Sequence, residues 1–140
     1  MQSIALVLAI GGTVGYHLVT KLVPAGANPI AMLFTAYVVG MMLCAAILLV
    51  MPAEAGFRSH FAQVNWTAPA LAMSIVVIDL AFILLYRSGF PLSIGALVTQ
   101  VSAAIALLGL GYLFFKDRLS VTNIVGVALC FAGLWLVNRD

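Results

Sequence analysis

Five long apolar runs dominate the chain, at about residues 3–22, 30–51, 67–86, 92–115 and 120–138. The segments between them differ sharply in character. "VPAGANP" (23–29) has two prolines and a glycine, and "MPAEAGFRSHFAQVN" (51–65) is the long polar stretch. "RSGFP" (87–91) and "KDRLS" (116–120) close the third and fourth runs. Gly and Pro clusters mark turns, because Gly frees the backbone and Pro removes a hydrogen-bond donor. A spanning helix needs about 20 mostly apolar residues, and each run has that length. Lipid offers no partner for a peptide group, so a spanning run must satisfy its backbone internally as an α-helix. The apolar positions have no period of two, which argues against a β-barrel. The pattern therefore predicts an all-α polytopic membrane protein with five transmembrane helices, folded as a single domain over 1–140.

Composition agrees with the pattern. The hydrophobic fraction is 65% and the charged fraction 7%, against roughly 25% charged residues in an average soluble domain. So few charges do not cover a water-facing surface. The formal net charge of +2 is small and scattered, which excludes nucleic acid as a partner and leaves the lipid bilayer as the expected one. "MQSIALVLAI" lacks the basic start of a cleaved signal peptide, so the first run is expected to stay as a helix. Cys44 and Cys130 lie inside apolar runs without metal or redox spacing and read as small apolar side chains. Trp66, Tyr86, Tyr112 and Trp135 fall near run ends, where amphipathic rings favour the membrane interface.

Charge gives no preferred orientation. Five spans put Arg58, Lys116 and Arg118 on one side, and Lys21, Arg87 and Arg139 on the other. Three basic residues face three, and the positive-inside rule is silent. Either other factors fix the orientation, or the chain inserts both ways and the two orientations pair.

The polar residues inside the runs fall at similar depths. At about 1.5 Å per residue, Asp79 lies roughly 12 Å from Arg87, near the middle of a hydrocarbon layer about 30 Å thick. On the same scale His17, Thr35, Tyr37, Thr99, Gln100 and Ser102 share its depth band, to within about 10 Å. A charge at the bilayer centre costs about 3 kcal/mol on insertion scales, so it faces a bundle interior or a wet cavity. Asp79 then either binds a cation or carries a proton, or it forms a structural ion pair with His17, Lys21 or a snorkelling Arg87. His17 reads as a ligand or as a histidine bonded to a carbonyl. Thr99, Gln100 and Ser102 either line a polar path or hold helices together by interhelical hydrogen bonds. Lys21 and Arg87 read as interface anchors, and Tyr37 as a core or ligand contact. Gly11 with Gly15, and Gly126 with Ala132 and Gly133, either permit close helix packing or simply follow membrane composition.

No enzyme is expected. Asp79 is the one aspartate within a run, so a two-aspartate protease is excluded. No serine stands in a nucleophile turn, and His60 has no metal-ligand spacing. No cofactor and no metal site are called for.

The last stretch, "FFKDRLSVTNIVGVALCFAGLWLVN" (114–138), resembles the C-terminal signature of the EamA family of the drug/metabolite transporter superfamily. The likeness lies in a charged turn from Lys116 to Ser120, followed by a helix with Gly126, a Leu-rich middle and Gly133. Asp117 stands where the family often has Glu. "GYHLVTKLVP" (15–24) and "RSGFPLSIGALVTQVSAAIALLGLGYLFF" (87–115) are similar to the family's first and fourth helices. The resemblance implies a multi-pass protein of the cell membrane, expected to be a bacterial inner membrane. Its function would be export or exchange of small polar or cationic metabolites, coupled to a gradient. Family members commonly carry two five-helix repeats of opposite topology, and this chain matches about one. The resemblance therefore implies a partner: an inverted copy in an antiparallel homodimer of dual topology, or another chain in a heteromer. Asp79, His17, Gln100, Tyr37, Thr99 and Ser102 are the candidate substrate-binding or ion-coupling residues. A flippase for a lipid-linked substrate and a non-transporting structural membrane subunit are the alternative readings.

Overall fold

The computed structural model describes residues 2–52, 57–115 and 120–137. Its regular structure is helical throughout, with no strand among the described residues. The helices are α1 (Gln2–Lys21), α2 (Pro29–Val50), α3 (Thr67–Arg87), α4 (Leu92–Phe115) and α5 (Val121–Val137), with a short 3-10 helix at Phe57–Phe61 between α2 and α3. Each α-helix matches one apolar run to within a residue. Four of them, α1 to α4, are long and apolar enough to cross a membrane. The fifth has 17 described residues and is shorter, so among the described residues five helices match the five runs and four of them have the length and apolarity of a span.

Local chemistry explains the helix limits. Asn28 caps α2, its side-chain oxygen accepting from the backbone N–H groups of Ile30 and Ala31, with Pro29 just inside the helix start. Both are favoured there, since the first N–H groups of a helix have no partner of their own and Pro donates none. Asn65 Oδ1 accepts from Thr67 N at 2.9 Å and from Thr67 Oγ1 at 2.8 Å before α3. Ser120 Oγ accepts from Thr122 N at 3.3 Å at the start of α5. Between α3 and α4 the chain turns at Gly89, whose φ of +88° favours a residue without a side chain.

The chain divides into two compact units. The first contains Met1–Lys21 and Ser88–Asp140, and there α4 packs against both α1 and α5. The second contains Leu22–Arg87, where α2 packs against α3 and against the 3-10 helix.

Leu33, Ile83 and Tyr86 are the buried apolar residues among those described, while large apolar side chains of every α-helix stay exposed. Water-soluble helices hide one apolar face in a core; helices apolar on all sides belong in lipid or deep inside a larger protein. Membrane burial follows for the four long helices. Tyr86 departs from the interface role that its place near a run end predicts: it is buried and its ring stacks on Phe82 with centroids 5.8 Å apart. At Gly11, Gly15, Gly126 and Gly133 an added methyl group would meet nothing within 4 Å. Among the described residues, close packing therefore does not require glycine at these positions.

Candidate functional site

The second unit joins two of the predicted site residues. Tyr37 on α2 donates a hydrogen bond from its hydroxyl to Asp79 Oδ2 on α3, at 2.8 Å, with both residues half-buried. Helix geometry explains the meeting. Tyr37 lies eight residues after Pro29, where α2 begins, and Asp79 lies eight residues before Arg87, where α3 ends. In consecutive helices running in opposite directions, equal distances from the same end mean equal depth, about 12 Å here. Among the described residues of this unit Tyr37 is the hydrogen-bond partner of Asp79, and no basic side chain of the unit pairs with the carboxylate.

The basic residue at that end of α3 is engaged elsewhere. Arg87 Nη2 donates to the carbonyl oxygens of Ala27, at 2.6 Å, and Pro24, at 3.0 Å. The guanidinium thereby ties the end of α3 to the turn that precedes α2. Pro24 O also accepts from Ala27 N at 3.0 Å, so the arginine reinforces a turn already closed by its own backbone. In the first unit, Lys21 Nζ donates to Phe90 O at 2.9 Å and ties the end of α1 to the turn before α4. Carbonyls at turns carry partial negative charge and suit a cation at the membrane boundary.

His17, Gln100, Thr99 and Ser102 belong to the first unit. His17 is buried, with its ring edge-on to Tyr16 at 5.2 Å between centroids. It shares with Gln100 an open groove of about 390 Å³ between α1 and α4, whose other polar lining is Thr13 and Ser93. Gln100 also lines a second groove, about 530 Å³, between α4 and α5, together with Thr122, Gly126 and Cys130. Gln100 and Ser102 are exposed. Thr99 turns its hydroxyl back on its own helix, donating to Gly95 O at 2.7 Å and Ala96 O at 3.1 Å. Thr35 does the same toward Ala31 O at 2.9 Å. Such back-bonding satisfies a hydroxyl in an apolar helix without a second helix. Neither Thr99, Gln100 nor Ser102 makes an interhelical hydrogen bond among the described residues, so the helix-joining reading of these three has no support.

The six candidates thus form two groups: Tyr37 with Asp79 in one unit, and His17 with Gln100 in the other, flanked by Thr99 and Ser102. Sequence reasoning set Asp79 against three basic candidates and missed Tyr37 as its partner, although the depth count was available to find it. The carbonyl acceptors of Lys21 and Arg87 had no such signal. Lys116, Asp117, Arg118 and Arg139, which carry the charged turn and part of the basic-residue balance, lie outside the described residues, as does the side chain of Arg58. Cys44 and Cys130 are free and exposed. Among the described residues no three His, Cys, Asp or Glu side chains come together as a metal site would require.

Comparison with protein-family models, with curated proteins and with solved structures finds no match for the chain.

Proposed function

We propose that this protein is an EamA-like membrane transporter that moves small polar or cationic metabolites across the cell membrane, coupled to a gradient, with all five helices crossing the bilayer. The observation that carries the reading is Asp79. A carboxylate halfway along an apolar helix, hydrogen-bonded to a phenol and without a basic partner among the described residues of its own unit, is expensive to keep in a membrane. An ion pair with Arg87 of the same unit would have offset that cost, but Arg87 is bonded to the backbone carbonyls of Pro24 and Ala27 instead. A proton or a cationic solute supplies the missing positive charge. The charge balance across the spans supports an inverted copy as the working partner, since inverted repeats around a midplane site are a recurrent transporter design.

The test is uptake by proteoliposomes of amines and zwitterionic amino acids, with and without a pH gradient, by the wild type and by Asp79→Asn. The wild type is expected to accumulate at least one solute in a gradient-dependent way, and the variant to lose that accumulation while keeping its fold. Asn retains the size of the side chain and an oxygen to accept from Tyr37, and removes only the charge and the exchangeable proton. Full transport by Asp79→Asn with a clear loss of thermal stability would identify Asp79 as structural. Failure of the inserted wild type to move any solute would favour a structural membrane subunit.

A further inference from the structure

The connection between α2 and α3 carries a group of rings that the transport reading does not use. The 3-10 helix puts Phe57 against Phe61, with centroids 5.6 Å apart, and against the edge of His60 at 6.1 Å. Neither phenylalanine is covered: Phe57 is 53% and Phe61 50% exposed, Val64 is 59% exposed, and Trp66 is 76% exposed. A loop between helices in water gains nothing from presenting two phenylalanines and a tryptophan.

We propose that residues 57–66 form an aromatic anchor lying in the headgroup region of the bilayer, with the lipid interface, rather than another protein, as its partner. Four observations support this occupant. The segment is joined at both ends to helices long and apolar enough to span, α2 ending at Val50 and α3 beginning at Thr67, so covalent geometry holds it at the membrane boundary. The 3-10 helix packs back against α2 instead of projecting away from it. Local turns engage part of its backbone, with Ala62 N donating to Ser59 O at 3.2 Å and Val64 N to Phe61 O at 3.1 Å, which eases entry into a region poor in water. Its rings are interleaved with Ser59, His60, Gln63 and Asn65, the mixture of apolar bodies and polar groups that suits the boundary between acyl chains and headgroups. The anchor also fixes depth. Asp79 lies 13 residues after Trp66, about 20 Å along α3, so a tryptophan held at the interface holds the carboxylate within the hydrocarbon layer. The inference rests on the membrane reading of α2 and α3 and is independent of transport.

The two tryptophans make it testable. In the full chain reconstituted into phosphatidylcholine vesicles, Trp135→Phe leaves Trp66 as the reporter, and Trp66→Phe leaves Trp135. Trp66 is expected to emit at blue-shifted wavelength. Lipids brominated near the headgroup end of the acyl chain should quench it more strongly than lipids brominated near the methyl end. Phe57→Ser with Phe61→Ser in the same background should shift the emission to the red and raise quenching by aqueous iodide. Quenching of Trp135 but not of Trp66 by brominated lipid overturns the anchor. Blue-shifted Trp66 emission that no brominated lipid quenches means that protein, a second copy or another chain, covers the patch, and overturns it too. An unchanged Trp66 signal in the double-serine variant removes the phenylalanines from any anchor and overturns the proposal as stated. Loss of lipid quenching at both tryptophans overturns the membrane reading along with it.

Discussion

Tyr37 on α2 and Asp79 on α3 meet through a 2.8 Å hydrogen bond between phenol and carboxylate, each eight residues from the helix end on the same side. The bond is a point of registry between two largely apolar helices. Interhelical hydrogen bonds in membrane proteins contribute about 0.6 kcal/mol on average and up to about 1.7. Tyr37→Phe, which removes only the hydroxyl, is therefore expected to lower stability by about 1 kcal/mol. Asp79→Asn should leave stability unchanged or raise it, because the amide oxygen still accepts and the burial cost of a charge disappears. Denaturation of both single variants and the double variant gives the coupling energy. A coupling near zero would mean that the two groups do not hold each other.

The arginine at the end of α3 makes a different kind of link. One guanidinium nitrogen binds two carbonyl oxygens, those of Pro24 and Ala27. Arg87→Ala removes both bonds from a partly solvated site, where the loss is expected to be about 1–2 kcal/mol. Arg87→Lys keeps the charge, but its ammonium sits one bond short of the Nη2 position and should recover only part of it. Thermal unfolding checks the order of the three proteins. Amide exchange at Ala27, whose N–H closes the turn onto Pro24 O, should accelerate in Arg87→Ala.

The limits of the five helices were legible in the sequence because lipid enforces them: a run either has spanning length or it does not, and Pro29, Gly89 and the capping Asn28 and Asn65 mark where it stops. Pairing was much less legible. A soluble helix advertises its partner face through a stripe of apolar residues, whereas α2 is apolar all round and names no neighbour. Depth alone carried information, which is why Asp79 and Tyr37 were both found while their bond was not. By residue type Thr99 is open to a ligand or a neighbouring helix, but its hydroxyl donates to Gly95 and Ala96 of its own helix. Lys21 and Arg87 bind backbone carbonyls, which every residue possesses and no sequence distinguishes. Among the described residues the fifth helix has 17 residues, at the lower limit for a span, and residue patterns near its ends do not decide such a margin.

Gly89 offers a test of backbone strain without packing. Its φ is +88°, and a methyl group placed there would meet nothing within 4 Å. Gly89→Ala therefore isolates the conformational cost, expected at about 1–2 kcal/mol for an L-residue in the left-handed region. Gly89→Asn should cost less, since Asn tolerates that region through local hydrogen bonding. Thermal unfolding of the two variants measures the difference, and equal stability of wild type and Gly89→Ala would show that the turn adopts another conformation.

The last prediction concerns orientation. Lys21, Arg87 and Arg139 balance Arg58, Lys116 and Arg118 across the predicted spans, so insertion has no electrostatic preference. Dual topology is the expected outcome. Ala25 and Gln63 are both exposed and lie beyond opposite ends of α2, so with α2 across the bilayer they are expected on opposite sides of the membrane in any one molecule. With Cys44 and Cys130 replaced by serine, Ala25→Cys and Gln63→Cys should each be labelled in part by an impermeant maleimide from outside intact cells, and fully once the membrane is opened. Adding lysines beside Gln63 should drive that loop to the cytoplasm and remove its outside labelling, while Ala25→Cys in the same background becomes fully accessible. If an inverted pair is the working form, transport should fall in the biased protein and return when an oppositely biased copy is expressed with it. Labelling of one site alone in the unbiased protein would exclude dual topology and leave a parallel or heteromeric assembly.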